Sequence, residues 1–318
     1  MANKRLKKVI SRRNAGFGDN LFAAAHAWYY AKETGRELVI NWAPSMYLDD
    51  KSLNAFYFFF DVPDQIEGVP IIVEKRINPL SRMIRALPVT PFKHFFPVLT
   101  AEVAKRFVNN YLPATFANAA NKRHDWIVNT IKEGKDVSEN TLIFNGCYSF
   151  LNDETKPFFK NLKLKPTYQE KVNAFADRYF TGKTVIGVHV RYYDKNLPVN
   201  NHTKYWLEPE KSLKTINSRL KEVVDEIKNN SEDHVIFLAT DNEMVQSSIR
   251  NAFENVITYD KEFDIVQKGM HLHLSVETAF NTLIEMFLLA RSDIMYRFPP
   301  SGSWFSHYGA LHAKKVVI

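Results

Sequence analysis

A chain of 318 residues, 45% hydrophobic and 24% charged, can bury more than one core, and its length predicts about two domains. Cys147 is the single cysteine, which excludes an internal disulfide and a cysteine-ligated metal cluster. The net charge of +7 and pI near 9.2 are spread along the chain without a long basic block, so they suit a small phosphorylated ligand better than nucleic acid.

No apolar run is long enough to cross a membrane. The basic start Met1–Lys8 leads only to Val9 and Ile10 before Ser11-Arg12-Arg13, which is not a signal-peptide core. A cytoplasmic protein is expected, with a charge that also suits weak attraction to the inner face of an anionic membrane.

The first segment reads as a βαβ unit. Lys8-Val9-Ile10 is a short strand, Gly16-Phe17-Gly18-Asp19-Asn20 a turn, and Leu21 to Thr34 an alanine-rich helix that Gly35 stops at its C′ position. Glu37 to Trp42 is the next strand. The turn lets backbone approach a ligand at a helix N-terminus, which makes Gly16 and Gly18 candidates for ligand contacts, although a plain tight turn is the simpler reading. It is not a dinucleotide fingerprint, because the third glycine is missing. From Lys51 to Phe116 the chain is rich in Phe and Pro. Its Phe56 to Phe60 cluster is expected to pack rather than to stack on sugar. Ala117 to Lys132 has helical composition, and Thr141 to Phe144 reads as a strand.

Beyond Pro166 the alternation becomes regular. A helix is expected near Tyr168 to Phe180, a strand at Val185 to Val190, and a helix at Ser212 to Asn229. A strand at Val235 to Ala239 follows, then a helix at Glu243 to Phe253 and a strand at Val256 to Thr258. A helix at Val276 to Arg291, a strand at Ile294 to Arg297, a short helix and a terminal strand from Lys315 complete the chain. Strands alternating with helices predict parallel sheets with right-handed crossovers. The expected fold is α/β, with an N-terminal domain over 1–170, a C-terminal Rossmann-type domain over 171–318, and a cleft between them.

Three polar clusters follow strands of the second domain: His189, Arg191 and Asp194; Thr240, Asp241 and Asn242; Ser301, Gly302 and Ser303. Parallel strands put their C-terminal ends on one edge, so the clusters can converge where such sheets bind ligands. Alternation places His189 and Arg191 on one face, a pairing that suits phosphate. The Ser-Gly-Ser loop opens a helix, whose first N–H groups favour an anion. Asp241 also has the simpler reading of a cap for its own helix. Glu285 sits in a helix that is apolar on nearly every side, so its carboxylate needs a partner. A guanine edge, with N1–H and an exocyclic amine side by side, is one; a pair with Arg291 or a surface position is the alternative. Asp241-Asn242-Glu243 has the form of a metal-binding triplet, but Arg191 and a helix N-terminus can offset a diphosphate without metal, and His271 with His273 lacks further ligands.

These motifs together resemble the NodZ-type nodulation-factor fucosyltransferases of rhizobia and, more distantly, the eukaryotic core α1,6-fucosyltransferases. The likeness runs through Ile10 to Asp19, Leu38 to Trp42, Ile186 to Arg191, Leu238 to Asp241, Leu288 to Arg291 and Arg297 to Pro300. It implies a GT-B-like pair of Rossmann-type domains facing across a cleft, GDP-fucose as donor, inversion at the anomeric carbon, α1,6 linkage and no required metal or other cofactor. It further implies that Arg191 holds the donor β-phosphate with His189 beside it, that Glu285 takes the guanine-binding position usually held by Asp, and that Asp241 lies on the donor side.

Two departures matter. Tyr192 stands where the core-type enzymes carry a second arginine, and the loop Asp194 to His202 lacks their glutamate base. Asp194 is therefore the first candidate for the base, with His202 and Glu208 behind it. Trp42 and Tyr47 are candidates to line the acceptor side, for an oligosaccharide or glycolipid. The Gly-Phe-Gly-Asp-Asn-Leu-Phe turn and the His-x-Arg motif also resemble α1,2-fucosyltransferases. The competing classes are a weakened sugar- or nucleotide-binding relative that lacks the base and, from pI alone, a nucleic-acid-binding protein.

Overall fold

The computed structural model describes residues 7–13, 15–76, 114–115, 136, 141–144, 152–190, 209–229, 233–261, 276–297 and 304–317. The chain divides into two compact units, Met1–Lys165 and Pro166–Ile318. The division precedes a helix that Pro166 opens; proline is preorganised for the first helical position, where its missing N–H costs nothing.

The first unit contains β1 (Lys8–Ser11), α1 (Phe17–Thr34), β2 (Glu37–Ile40), α2 (Ala55–Phe59), β3 (Phe60–Asp61), β4 (Gln65–Ile66), β5 (Val69–Val73), β6 (Ala114–Thr115), β7 (Thr141–Phe144), α3 (Asn152–Asn161) and β8 (Lys163–Leu164). The sheet order is β4-β5-β2-β1-β7-β6. Only the β4–β5 pairing in it is antiparallel. The α1 helix begins at Phe17, so Phe17 to Asn20 form its first turn and not the expected loop. Two contacts override the glycine signal. The Asn20 side chain clasps Ala15, donating to its carbonyl at 3.0 Å and accepting from its N–H at 3.1 Å. The Phe17 ring stacks on Tyr47 with centroids 3.8 Å apart. At the other end Gly35 takes the left-handed conformation, φ 65, as expected, and its N–H donates to the Ala31 carbonyl. The helix expected over Ala117 to Lys132 lies outside the described residues.

The second unit contains α4 (Pro166–Tyr179), β9 (Thr184–Val190), α5 (Pro209–Asn229), β10 (His234–Thr240), α6 (Glu243–Ala252), β11 (Val256–Ile257), α7 (Val276–Leu289), β12 (Ile294–Tyr296), α8 (Trp304–His312) and β13 (Lys315–Val317). Its sheet runs β11-β10-β9-β12-β13, parallel throughout. Strand order reverses between β9 and β12, which is the topological switch point of a Rossmann-type sheet. Ile186, Val188 and Val190 of β9 join Ile236 and Leu238 on one face. There they meet Ile216, Leu220, Val223, Val224 and Ile227 of α5 and Val245 and Ile249 of α6. The spacing on α5 is that of a helix with one apolar stripe. The opposite face carries Phe237, which packs edge-on against Phe175 and Phe180, and α7 lies there against α4 and α8. Two such parallel α/β units make the GT-B-like class expected from the sequence.

Gly187 shows how tightly β9 meets the turn before β12. An added Cβ would overlap the Ser292 hydroxyl and lie 2.9 Å from the Ser292 Cβ and 3.2 Å from the Met295 sulfur. Gly187→Ala is expected to destabilise the chain by about 1–3 kcal/mol, the usual cost of overpacking. Urea denaturation checks this; an unchanged midpoint would mean that the turn yields freely.

Candidate active site

The second unit brings several of the expected residues to one sheet edge. His189 pairs across the ladder with Ala239, and Val190 with Thr240, so β9 and β10 end side by side. His189 is buried, and its ring stacks on Phe305 with centroids 5.7 Å apart. Phe305 is the second residue of α8, so the start of that helix lies over the end of β9. Phe305 is not legible in the sequence, because nothing local marks a ring that covers a histidine more than a hundred residues away.

Asp241 stands just after β10 and is exposed. It does not cap α6; Asn242 does, its Oδ1 accepting from Val245 N–H at 3.1 Å. Asp241 is thereby not committed to holding its own helix.

Glu285 is 6% exposed on α7, and both expected alternatives, a pair with Arg291 and a surface position, are corrected. Arg291 instead donates to the Asn173 side chain at 2.9 Å. The cation on Glu285 is Lys261, with Nζ 2.5 Å from Oε2. The same ammonium donates to the Thr240 carbonyl at 2.7 Å. One half-buried lysine thus ties the end of β10 to the middle of α7. Burial pushes the Glu285 carboxyl up to about 7; Lys261 opposes that rise and the Asp241 charge adds to it. Nearby, burial and the charges of Asp260, Glu285 and Glu277 raise Tyr259. On α8, burial, aided by Arg297, pushes His307 down to about 4, so it is neutral near pH 7.

Arg191, Asp194, Ser301, Gly302 and Ser303, with the reserve bases His202 and Glu208, lie outside the described residues. So do His271 and His273. Among the described residues no group of three or more His, Cys, Asp or Glu is placed to hold a metal ion, and no helix is long and apolar enough to cross a membrane.

In the first unit, Gly16 precedes α1 as its N-cap residue without a side-chain cap. A Cβ there would meet only ordinary contacts, 3.8 Å from Asp19 Oδ2 and 3.9 Å from the Tyr47 hydroxyl. Space does not demand glycine at this position. Gly18 is buried within the first turn of α1 rather than in a loop. The acceptor-lining assignments of Trp42 and Tyr47 are corrected. Trp42 is 1% exposed and packs edge-on against Phe56 and Phe60. Tyr47 is 4% exposed, with one face on Phe17 and its edge toward Phe59. Neither ring offers a face to a sugar.

The profile of the family described as Nodulation protein Z (NodZ) matches residues 5–318. The chain belongs to the NodZ family. Nodulation protein Z of Bradyrhizobium diazoefficiens is 32% identical over 97% of this chain and 80% of its own length. Nodulation protein Z of Sinorhizobium fredii is 31% identical over 97% of this chain and 92% of its own. Among solved structures, a NodZ alpha-1,6-fucosyltransferase crystal soaked with GDP-fucose aligns with a TM-score of 0.65 at 25% identity, covering 98% of this chain and 94% of that one. The NodZ likeness therefore spans both units, in agreement with the resemblance carried by the short motifs.

Proposed function

We propose that this NodZ-family chain is an inverting fucosyltransferase that moves fucose from GDP-fucose to a hydroxyl of an oligosaccharide or glycolipid acceptor, forming an α1,6 linkage without a metal, in the cytoplasm. The observation that carries this reading is the family match over residues 5–318, joined to a relative whose crystal was soaked with GDP-fucose. The second unit binds the donor and the first serves the acceptor.

Within the second unit, Glu285 accepts the guanine N1–H and 2-amino group through its carboxylate oxygens. His189, Asp241 and the Ser301-Gly302-Ser303 loop contact the rest of the nucleotide. Arg191, the first residue after β9, offsets the charge that grows on the β-phosphate as the bond from phosphate oxygen to the fucose carbon breaks. Asp194 takes the proton from the acceptor hydroxyl, which must approach in line with departing GDP. The electron pair of that hydroxyl forms the new glycosidic bond, and GDP leaves as the anion.

Calorimetry with GDP, UDP and ADP, followed by transfer of labelled fucose to a small glycan panel with and without a chelator, tests the reading. A preference for GDP and chelator-resistant transfer are expected. Equal binding of the three nucleotides would remove the guanine assignment. Asp194→Asn is expected to lower turnover by about a hundredfold or more while changing GDP affinity little. Full activity in that variant would move the base to His202 or Glu208.

A further inference from the structure

We infer that Lys261 is a positioning residue that determines base specificity: its ammonium, fixed between the Thr240 carbonyl and Glu285, holds the α7 carboxylate ionised so that it accepts both donors of a guanine edge. This rests on the donor reading above, and adds to it a residue that no motif marks.

The geometry is specific. Lys261 spans 2.7 Å to the last carbonyl of β10 and 2.5 Å to Glu285 Oε2, and both side chains of the pair are largely buried, at 15% and 8% exposure. A carboxylate offers about four lone-pair sites on two oxygens. Lys261 takes one on Oε2, so Oε1 and a second site on Oε2 can each receive an N–H. A protonated carboxyl keeps one acceptor oxygen but presents an O–H. Facing guanine, that O–H meets a donor. Facing adenine, which shows an acceptor N1 beside a donor amine, it pairs well. The ionisation state of Glu285 therefore sets which purine fits.

Among the described residues, the surroundings leave this task to Lys261. Asp241, after β10, and burial both disfavour the charged form. Tyr259, after β11, is raised by burial and then by the charges of its neighbours. On α8, His307 is neutral near pH 7 and Tyr308 is raised by burial. On α4, Tyr168 stacks on Phe280 of α7 and is likewise raised. On β9, His189 lies against Phe305. Removing the ammonium takes away the attraction that opposes protonation, and Glu285 then rises above about 7.

The test is calorimetric binding of GDP and ADP to the full chain across about pH 6 to 8.5, in wild type, Lys261→Met, Glu285→Gln and the double variant. The ratio of the two affinities cancels titration of the diphosphate itself. Wild type should prefer GDP, with the preference shrinking as pH falls below about 7. Lys261→Met should lose about tenfold or more of that preference at neutral pH and regain it at higher pH. Added to Glu285→Gln, it should change nothing further, since a positioning residue acts through its partner.

If wild type binds GDP and ADP alike, the guanine reading itself fails. If wild type discriminates and Lys261→Met keeps the same preference and pH profile, the role of Lys261 is overturned with the guanine reading intact. Should Lys261→Met not fold, the wild-type profile decides alone: a preference constant from about pH 6 to 8.5 overturns the inference.

Discussion

Arg191→Ala is expected to lower kcat by roughly a hundredfold or more, with a smaller loss of GDP affinity. Arg191 follows β9 in the chain. The strand's residues from Val185 to Val190 are buried, and its backbone is paired on one side with β10 and on the other with β12. The strand is fixed up to Val190, whose ladder partner is Thr240. Arg191 comes directly after Val190, and the C-terminal edge on which β9 ends is where such folds bind ligands, at their switch point. A guanidinium there gains most as charge moves onto the β-phosphate, so it acts on the transition state more than on the bound donor. Steady-state transfer kinetics check this. Arg191→Lys should restore part of the rate, because it keeps the charge and loses the two-pronged donor geometry. A variant with wild-type kcat and only a raised KM would show that Arg191 merely holds the substrate.

The sequence was legible where local signals and tertiary demands agree. The run Val185 to Val190 reads as a buried strand because four β-branched residues lie within six positions, and Gly35 reads as a helix stop because its left-handed backbone suits glycine. The helix bearing Glu285 is legible for the opposite reason: one carboxylate among Leu, Ile, Met and Phe calls for a partner. That partner was not legible. Lys261 lies 24 residues earlier, after a two-residue strand, and no spacing rule joins them; only the sheet order does. Arg291, nearer in sequence, was the natural expectation and pairs elsewhere. In the first unit, two glycines suggested a loop where packing of Phe17 and the Asn20 clasp make helix. Trp42 and Tyr47 looked suited to lining an acceptor, yet Phe56 and Phe60 pack against Trp42 and Phe17 and Phe59 against Tyr47. Aromatic residues in an irregular segment state how much surface must be buried, not which side is covered.

The Lys261–Glu285 pair also carries the largest expected effect on stability. Glu285→Ala is expected to cost about 3–5 kcal/mol near neutral pH, because it leaves a largely buried ammonium without its carboxylate. Replacing both partners with apolar residues of similar size, Lys261→Met with Glu285→Leu, should recover most of that loss, since the pair's attraction is set against the desolvation of two charges. The pH dependence has a definite sign. The folded carboxyl sits near 7, above its ordinary 4.5, so between those values the folded chain keeps a proton that the unfolded chain has released. The stability from this group is full below about 4.5 and is lost as pH rises through about 7. Urea denaturation at about pH 5 and pH 8 should show that decline in wild type, and a flatter response in the double variant. The double variant should also lose guanine preference although it folds. A double variant as unstable as Glu285→Ala would mean that the pair contributes net stability. One that folds and still prefers GDP would remove the carboxylate from the recognition of guanine.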